Sequence, residues 1–131
     1  MCTLQRKEGT WVMGRLEAYD KALDYSYAPG LFPSMECLKN AKGRCMRLLL
    51  SSESEGSSGA QALRRAAQEA GIRVETADRA LGRISKKENC FAAMVYKKAE
   101  GVFDAYSPHV VLHHPSDSGN LGTILRTALG F

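Results

Sequence analysis

Short apolar runs alternating with a helical repeat constrain this chain more than any other feature. Arg47-Leu48-Leu49-Leu50-Ser51 is an apolar run of strand length, and Ile72-Arg73-Val74-Glu75-Thr76 alternates in polarity as a half-buried strand does. Phe91 to Tyr96 is a third strand, apolar and aromatic. Between the first two, Ala60, Leu63, Ala66, Ala67 and Ala70 recur along one helical face. Gln61, Arg64, Arg65, Gln68 and Glu69 lie largely on the other, and Gly71 is a good C-terminal stop. Asp78 is placed to cap a short helix carrying Ala80, Leu81 and Ile84. Pro33 suits the first turn of another, in which Met35, Cys37 and Leu38 are partly buried. The spacing of Val12, Leu16, Tyr19 and Leu23 predicts an amphipathic helix over 11–24. Tyr25 to Gly30 reads as a loop, and Ser51 to Gly59 as an exposed, mobile one. Strands alternating with helices imply an α/β fold with a mixed or parallel sheet covered on both faces. The expectation is a three-layer α/β/α sandwich over residues 1–100.

Beyond Lys97-Lys98-Ala99-Glu100-Gly101 the character changes. Residues 101–108 read as a linker around Tyr106-Ser107-Pro108, followed by His109-Val110-Val111-Leu112-His113 as a strand. A glycine-containing turn, Pro115 to Gly122, leads into a helix over Leu121–Leu129 with Leu121, Ile124, Leu125 and Ala128 inward. One strand and one helix cannot bury a core alone, so residues 109–131 read as the incomplete start of a second domain, or as a tail packed on the first.

Several function classes are excluded or left without support. No apolar run approaches the roughly 18–20 residues of a membrane helix. The N-terminal Met-Cys-Thr-Leu-Gln-Arg-Lys-Glu-Gly-Thr lacks an apolar signal region, which points to the cytoplasm. Cys2, Cys37, Cys45 and Cys90 form no C-x-x-C pair and read as free thiols in a reducing compartment. His113 and His114 are neighbours on the expected strand, so they leave opposite faces, and with His109 they make no metal site. No serine or cysteine triad has local support. The turn before the last helix is neither a Walker A loop nor a dinucleotide fingerprint.

The charge is informative by its placement. Eighteen lysines and arginines against 14 acidic residues give a net charge of +4, compatible with a polyanion but not diagnostic of one. The basic residues cluster as Lys39, Lys42, Arg44 and Arg47, then Arg79, Arg83, Lys86 and Lys87, then Lys97 and Lys98. A single cluster is ordinarily a solvated face. Three in one short domain favour a phosphate-binding surface, with Lys39, Lys42, Arg44, Arg83, Lys86 and Lys87 as the best candidates.

In the last helical segment Asn120 sits in the turn and Arg126 follows six residues later, near the middle of the helix. From spacing alone a helix cap and a surface charge serve as well as a site. The full run Gly119-Asn120-Leu121-Gly122-Thr123-Ile124-Leu125-Arg126-Thr127-Ala128, however, resembles the first motif of the SpoU (TrmH-type) RNA 2′-O-ribose methyltransferases of the SPOUT superfamily. The preceding region is similar to their N-terminal substrate-binding domain, itself like a ribosomal protein that binds kinked RNA. Tyr25 to Lys39 and Leu81 to Cys90 fit that domain. Asp117-Ser118 stands where the family commonly has a proline, and the second and third motifs, which form the cofactor knot and much of the dimer interface, are not in the sequence.

The resemblance implies the following. The chain is the RNA-recognition part of an S-adenosyl-methionine-dependent methyltransferase acting on ribosomal or transfer RNA, homodimeric when complete. Taken alone it holds no cofactor and is inactive. Asn120 orients the ribose. Arg126 holds a phosphate and stabilises the developing oxyanion, since a guanidinium is a poor base. Gly119 and Gly122 shape the motif turn and let backbone approach closely. No metal is required, because the leaving group is a neutral thioether. The alternative is a free-standing ribosomal-protein-like RNA-binding module without enzyme activity, and the reading frame downstream of Phe131 separates the two.

Overall fold

The computed structural model describes residues 5–7, 10–12, 15–85 and 89–130. The chain divides into two units, Met1–Glu100 and Gly101–Phe131. In the first, β1 (Gln5–Lys7) pairs antiparallel with β2 (Thr10–Val12). There follow β3 (Tyr25–Pro29), α1 (Leu31–Ala41), β4 (Cys45–Leu50), α2 (Ser58–Glu69), β5 (Arg73–Thr76), α3 (Asp78–Ile84) and β6 (Ala92–Lys97). The last four strands form one mixed sheet in the order β3-β6-β4-β5, with β4 and β5 parallel and the other pairings antiparallel.

The apolar run becomes the central strand. Every residue of β4 is buried, and side-chain alternation divides it between two cores. Leu48 and Leu50 join Leu38 of α1 and Leu63 and Ala67 of α2 on one face. Leu49 and Met46 join Tyr25, Tyr27, Val95, Leu81 of α3 and Leu16 on the other. Both faces of the sheet are therefore covered. The parallel β4–β5 pair requires a crossover connection, which α2 supplies. That helix starts where the Ser57 hydroxyl accepts from Ala60 N at 3.4 Å. It ends at Gly71, whose φ of +72° suits glycine, with Ile72 N–H donating back to the Ala67 carbonyl at 2.8 Å.

Gly30, at φ +108°, turns the chain from β3 into α1. One turn later Ser34 is fully buried, donating to the Ala28 carbonyl at 2.9 Å and accepting from Met94 N–H at 3.0 Å. Its hydroxyl thus ties α1 to β3 and β6.

Four sequence expectations in this unit are corrected. The helix expected over 11–24 is not found among the described residues there. Thr10–Val12 are strand β2, and 15–24 run irregularly. Leu16 still reaches the core, but Tyr19 faces solvent, and the Asp20 carboxylate accepts from Ala22 N–H at 2.8 Å, a local bond that competes with helix. Glu17 is held from the sheet: its N–H donates to Tyr25 Oη, and its carbonyl accepts from Tyr27 Oη. Second, Tyr25–Pro29, expected as a loop, is an edge strand, with Tyr25 and Tyr27 packed edge to face. Third, Ser51–Gly59 is largely exposed as expected but is not wholly a loop. Ser52–Ser54 form a 3-10 turn, Ser51 and Ser54 are buried, and Ser54 Oγ donates to the Ser51 carbonyl at 2.7 Å. Fourth, Asp78 opens α3 without capping it, because the cap position is Ala77.

In the second unit α4 (Ser118–Leu129) is capped by Asp117, whose carboxylate accepts from Asn120 N–H at 2.6 Å. An Asp104-centred turn precedes it, with Tyr106 N–H and Ser107 Oγ both donating to that carboxylate. His109–His113 is not a strand among the described residues, because a ladder needs a neighbouring strand and none lies beside it. His114 adopts φ +47°, and the His113 and His114 rings meet edge to face at 4.4 Å instead of leaving opposite faces. Nor do the α4 side chains point inward: Ile124, Leu125 and Ala128 are exposed and Leu121 is half-buried.

Candidate functional site

Among the described residues the basic candidates do not form one surface. Lys39 lies in the last turn of α1, and Lys42 and Arg44 occupy the 3-10 turn that leads into β4, so these three flank or line a single short connection. The connection is short because α1 stops at Ala41 and β4 starts at Cys45. All three side chains face solvent; Lys39 Nζ lies 3.2 Å from Glu36 Oε1, an exposed pair of little strength. Arg83 lies in the last turn of α3, on the opposite face of the sheet, near Tyr27. Lys86 and Lys87 lie outside the described residues.

Two members of the sequence clusters have structural occupations. Arg47 is buried on β4, where its guanidinium donates to Glu75 Oε1 on β5 at 2.9 Å; the same carboxylate meets Arg73 at 3.4 Å. A side chain in the central strand cannot join a solvated cluster, which corrects its grouping with Lys39–Arg44. Lys98 donates to the Asp20 and Lys21 carbonyls at 3.2 and 3.1 Å and sits 5.0 Å from the centre of the Tyr19 ring. It fastens the irregular segment before β3 to the end of β6.

The motif residues occupy α4 itself rather than a turn before it. Because the helix begins at Ser118, Gly119 and Asn120 belong to its first turn, and the cap is Asp117. A Cβ on Gly119 would come within 3.2 Å of the capping Asp117 Oδ1, so glycine there keeps the cap undisturbed. The Arg126 guanidinium folds back toward Gly122, lying 3.9 Å from where a Cβ would sit. Asn120 and Arg126 are separated by about 9 Å along the helix axis and about 120° around it, so they do not share a face. Thr123 and Thr127 turn their hydroxyls onto the carbonyls one turn back, Gly119 and Thr123. An open apolar groove of about 340 Å³ runs along Val110, Thr123, Ile124, Thr127 and Ala128.

Sequence reasoning missed a cavity of about 180 Å³ at the carboxyl end of β4, lined by Ser51, Glu53, Asp78, Leu81, Cys90 and Phe91 among others. Crevices at the carboxyl ends of parallel strands are where α/β sheets commonly bind ligands. Asp78 accepts from Ser52 N–H at 3.0 Å and Ser51 Oγ at 2.9 Å. The Ser52 amide first, then the Ser51 hydroxyl, holds its carboxyl below the usual 3.8. The available signal is the serine-rich segment directly after the apolar strand, which its composition presents as an exposed, mobile loop.

Among the described residues no cluster of histidine, cysteine, aspartate and glutamate is arranged to hold a metal ion, and no helix is long and apolar enough to cross a membrane. Compared with protein-family models, curated proteins and solved structures, the chain matches none.

Proposed function

We propose that the chain is the RNA-recognition portion of a SpoU-type, S-adenosyl-methionine-dependent RNA 2′-O-ribose methyltransferase. In this reading the first unit is an α/β/α sandwich of ribosomal-protein-like type, and the second begins the knotted methyltransferase domain. The observation that carries it is the ten-residue run Gly119–Ala128, which lies on one capped helix with the Arg126 guanidinium against Gly122. The basic connection Lys39–Arg44 supports an RNA surface, because it gathers three exposed cations on one short stretch of chain.

In the complete enzyme S-adenosyl-methionine supplies the methyl group. The described residues of the second unit do not fit that cofactor on their own. The groove beside α4 is open, and its only side-chain polar atoms are two threonine hydroxyls committed to α4 carbonyls. Asn120 and Arg126 act on the RNA instead. The amide of Asn120 offers both a donor and an acceptor to a ribose hydroxyl. The guanidinium of Arg126, on another face of α4 beside Gly122, holds a phosphate of the same RNA. Catalysis rests chiefly on this positioning.

The alternative, a free-standing RNA-binding module, is favoured by the closed two-faced core of the first unit. Both readings require RNA binding, and filter binding on a structured ribosomal RNA fragment and on duplex DNA tests it across a salt series. Wild type should prefer the structured RNA. The Lys39→Ala/Lys42→Ala/Arg44→Ala variant should lower the slope of log affinity against log salt by about 2–3, as loss of three phosphate contacts requires. No preference for structured RNA would overturn both readings. Continuation of the reading frame into further SpoU motifs favours the first, and a stop codon the second.

A further inference from the structure

The Lys39–Arg44 connection is bounded by two cysteines that the proposed function does not use. Cys37 lies in α1 and is half-buried; Cys45 opens β4 and is 3% exposed. Their sulfurs are 3.8 Å apart, in van der Waals contact, although nothing in the sequence spacing marks them as a pair. The Cys45 thiol also reaches the carbonyls of Cys37 and Ala41 at 3.6 and 3.5 Å. The Cys45 S–H thus has two carbonyl acceptors beside the Cys37 sulfur, and either sulfur can donate in the pair.

We propose that Cys37 and Cys45 are a hydroperoxide-responsive dithiol, in which Cys37 is the attacking sulfur and Cys45 the resolving one. In the first step the Cys37 thiolate attacks the distal oxygen of a hydroperoxide. An S–O bond forms, the O–O bond breaks, and the alkoxide takes a proton and leaves as an alcohol, or as water from hydrogen peroxide. Cys37 is then a sulfenic acid. In the second step the Cys45 sulfur attacks Cys37. The S–S bond forms, the S–O bond breaks, the Cys45 proton goes to the departing hydroxide, and water leaves. The two thiols are oxidised by two electrons and the hydroperoxide is reduced by two.

Three features of the site suit these roles. A reactive cysteine needs thiolate character and access. The hydrogen bond with Cys45 lowers the Cys37 pKa; partial burial opposes this, and the Arg44 charge adds to it. The same hydrogen bond and burial push the Cys45 thiol up, so it keeps its proton until resolution. Only Cys37 of the two meets solvent, so the oxidant encounters the attacking sulfur first. Finally, the ring closed by the bridge spans residues 37–45 and contains Lys39, Lys42 and Arg44. Oxidation therefore clamps the end of α1 to the start of β4 across the basic connection. Cys90 differs: its thiol donates to the Ala92 carbonyl at 3.2 Å, with no second sulfur beside it among the described residues.

The test uses the full chain carrying Cys2→Ser and Cys90→Ser, treated with one equivalent of hydrogen peroxide, alkylated and mapped by mass spectrometry. The expected result is loss of both remaining thiols, a Cys37–Cys45 linked peptide, and recovery on reduction with dithiothreitol. Adding Cys45→Ala should leave a sulfenic acid at Cys37 that a dimedone reagent traps. Adding Cys37→Ser should leave Cys45 at least tenfold slower to oxidise; circular dichroism verifies the fold of each variant. Oxidation of Cys37 to the sulfinic acid with Cys45 still open to alkylation after denaturation would overturn the proposal. So would peroxide oxidation of Cys45 in the folded Cys37→Ser variant at the unsubstituted rate.

Discussion

In the first unit Leu48, Leu49 and Leu50 lie between two helical coverings with at most 1% of their surface exposed, whereas in the second Leu129 of α4 is 88% exposed. Both segments are apolar in sequence, and both adopt the regular structure their residues favour. The difference is what surrounds them. A central strand has hydrogen-bonded neighbours on both edges and a face on each side, so every Leu of β4 finds a covering element. A lone helix satisfies its backbone internally and leaves its apolar stripe without a partner. Val102 and Tyr106 share that condition, at 96% and 98% exposed.

The sharpest way to break the comparison is to delete the same side chain in each unit. Leu48→Ala should destabilise the first unit by about 2–5 kcal/mol, the cost of an internal cavity plus lost burial. Leu129→Ala should change stability by about 0.5 kcal/mol or less, as for other surface substitutions. Urea unfolding followed by circular dichroism measures both. Equal effects would mean that α4 is covered as well as β4 is.

Next in size is Ser34, the buried hydroxyl that links α1 to the sheet. Ser34→Ala removes the partner of Met94 N–H and of the Ala28 carbonyl. The expected loss is about 1–3 kcal/mol, the cost of leaving buried polar groups unpaired. A neutral substitution would show that this bond is dispensable to the core.

The smallest effect is a pH dependence at Asp78. Its folded pKa lies below the ordinary 3.8. The stability it contributes is therefore present above the unfolded value and lost as pH falls through the folded one. Asp78→Asn should flatten the acid limb of the stability curve below pH 3.8 and leave the curve near pH 7 parallel to wild type. An unchanged acid limb would show that the Ser51–Asp78 contact does not hold the carboxylate.

How much of this was legible in sequence differs by residue. The β4 run, the α2 stripe and the Gly71 stop were read correctly because local pattern and tertiary role agree there. Residues 11–24 deceived because Leu16 and Leu23 fit a helical period, while tertiary contacts and the Asp20 turn decide the backbone. Tyr25-Ser26-Tyr27 does alternate, with the tyrosines buried, but the run is short and ends at Pro29, and its strand exists because β6 offers it an edge. The basic clusters were visible as charges, but sequence does not say that Arg47 is buried against Glu75, nor that Arg83 sits across the sheet from Arg44. The Cys37–Cys45 contact was equally invisible, since it depends on how α1 returns to β4.

Native-state hydrogen exchange on the intact chain tests most directly whether the two units differ as described. Amides of β4 and β6 should exchange through global unfolding, while those of α4 should exchange through local opening, faster by orders of magnitude. Protection of residues 118–129 equal to that of 45–50 and 92–97 would contradict the account. It would mean that the motif helix belongs to a core as complete as the first.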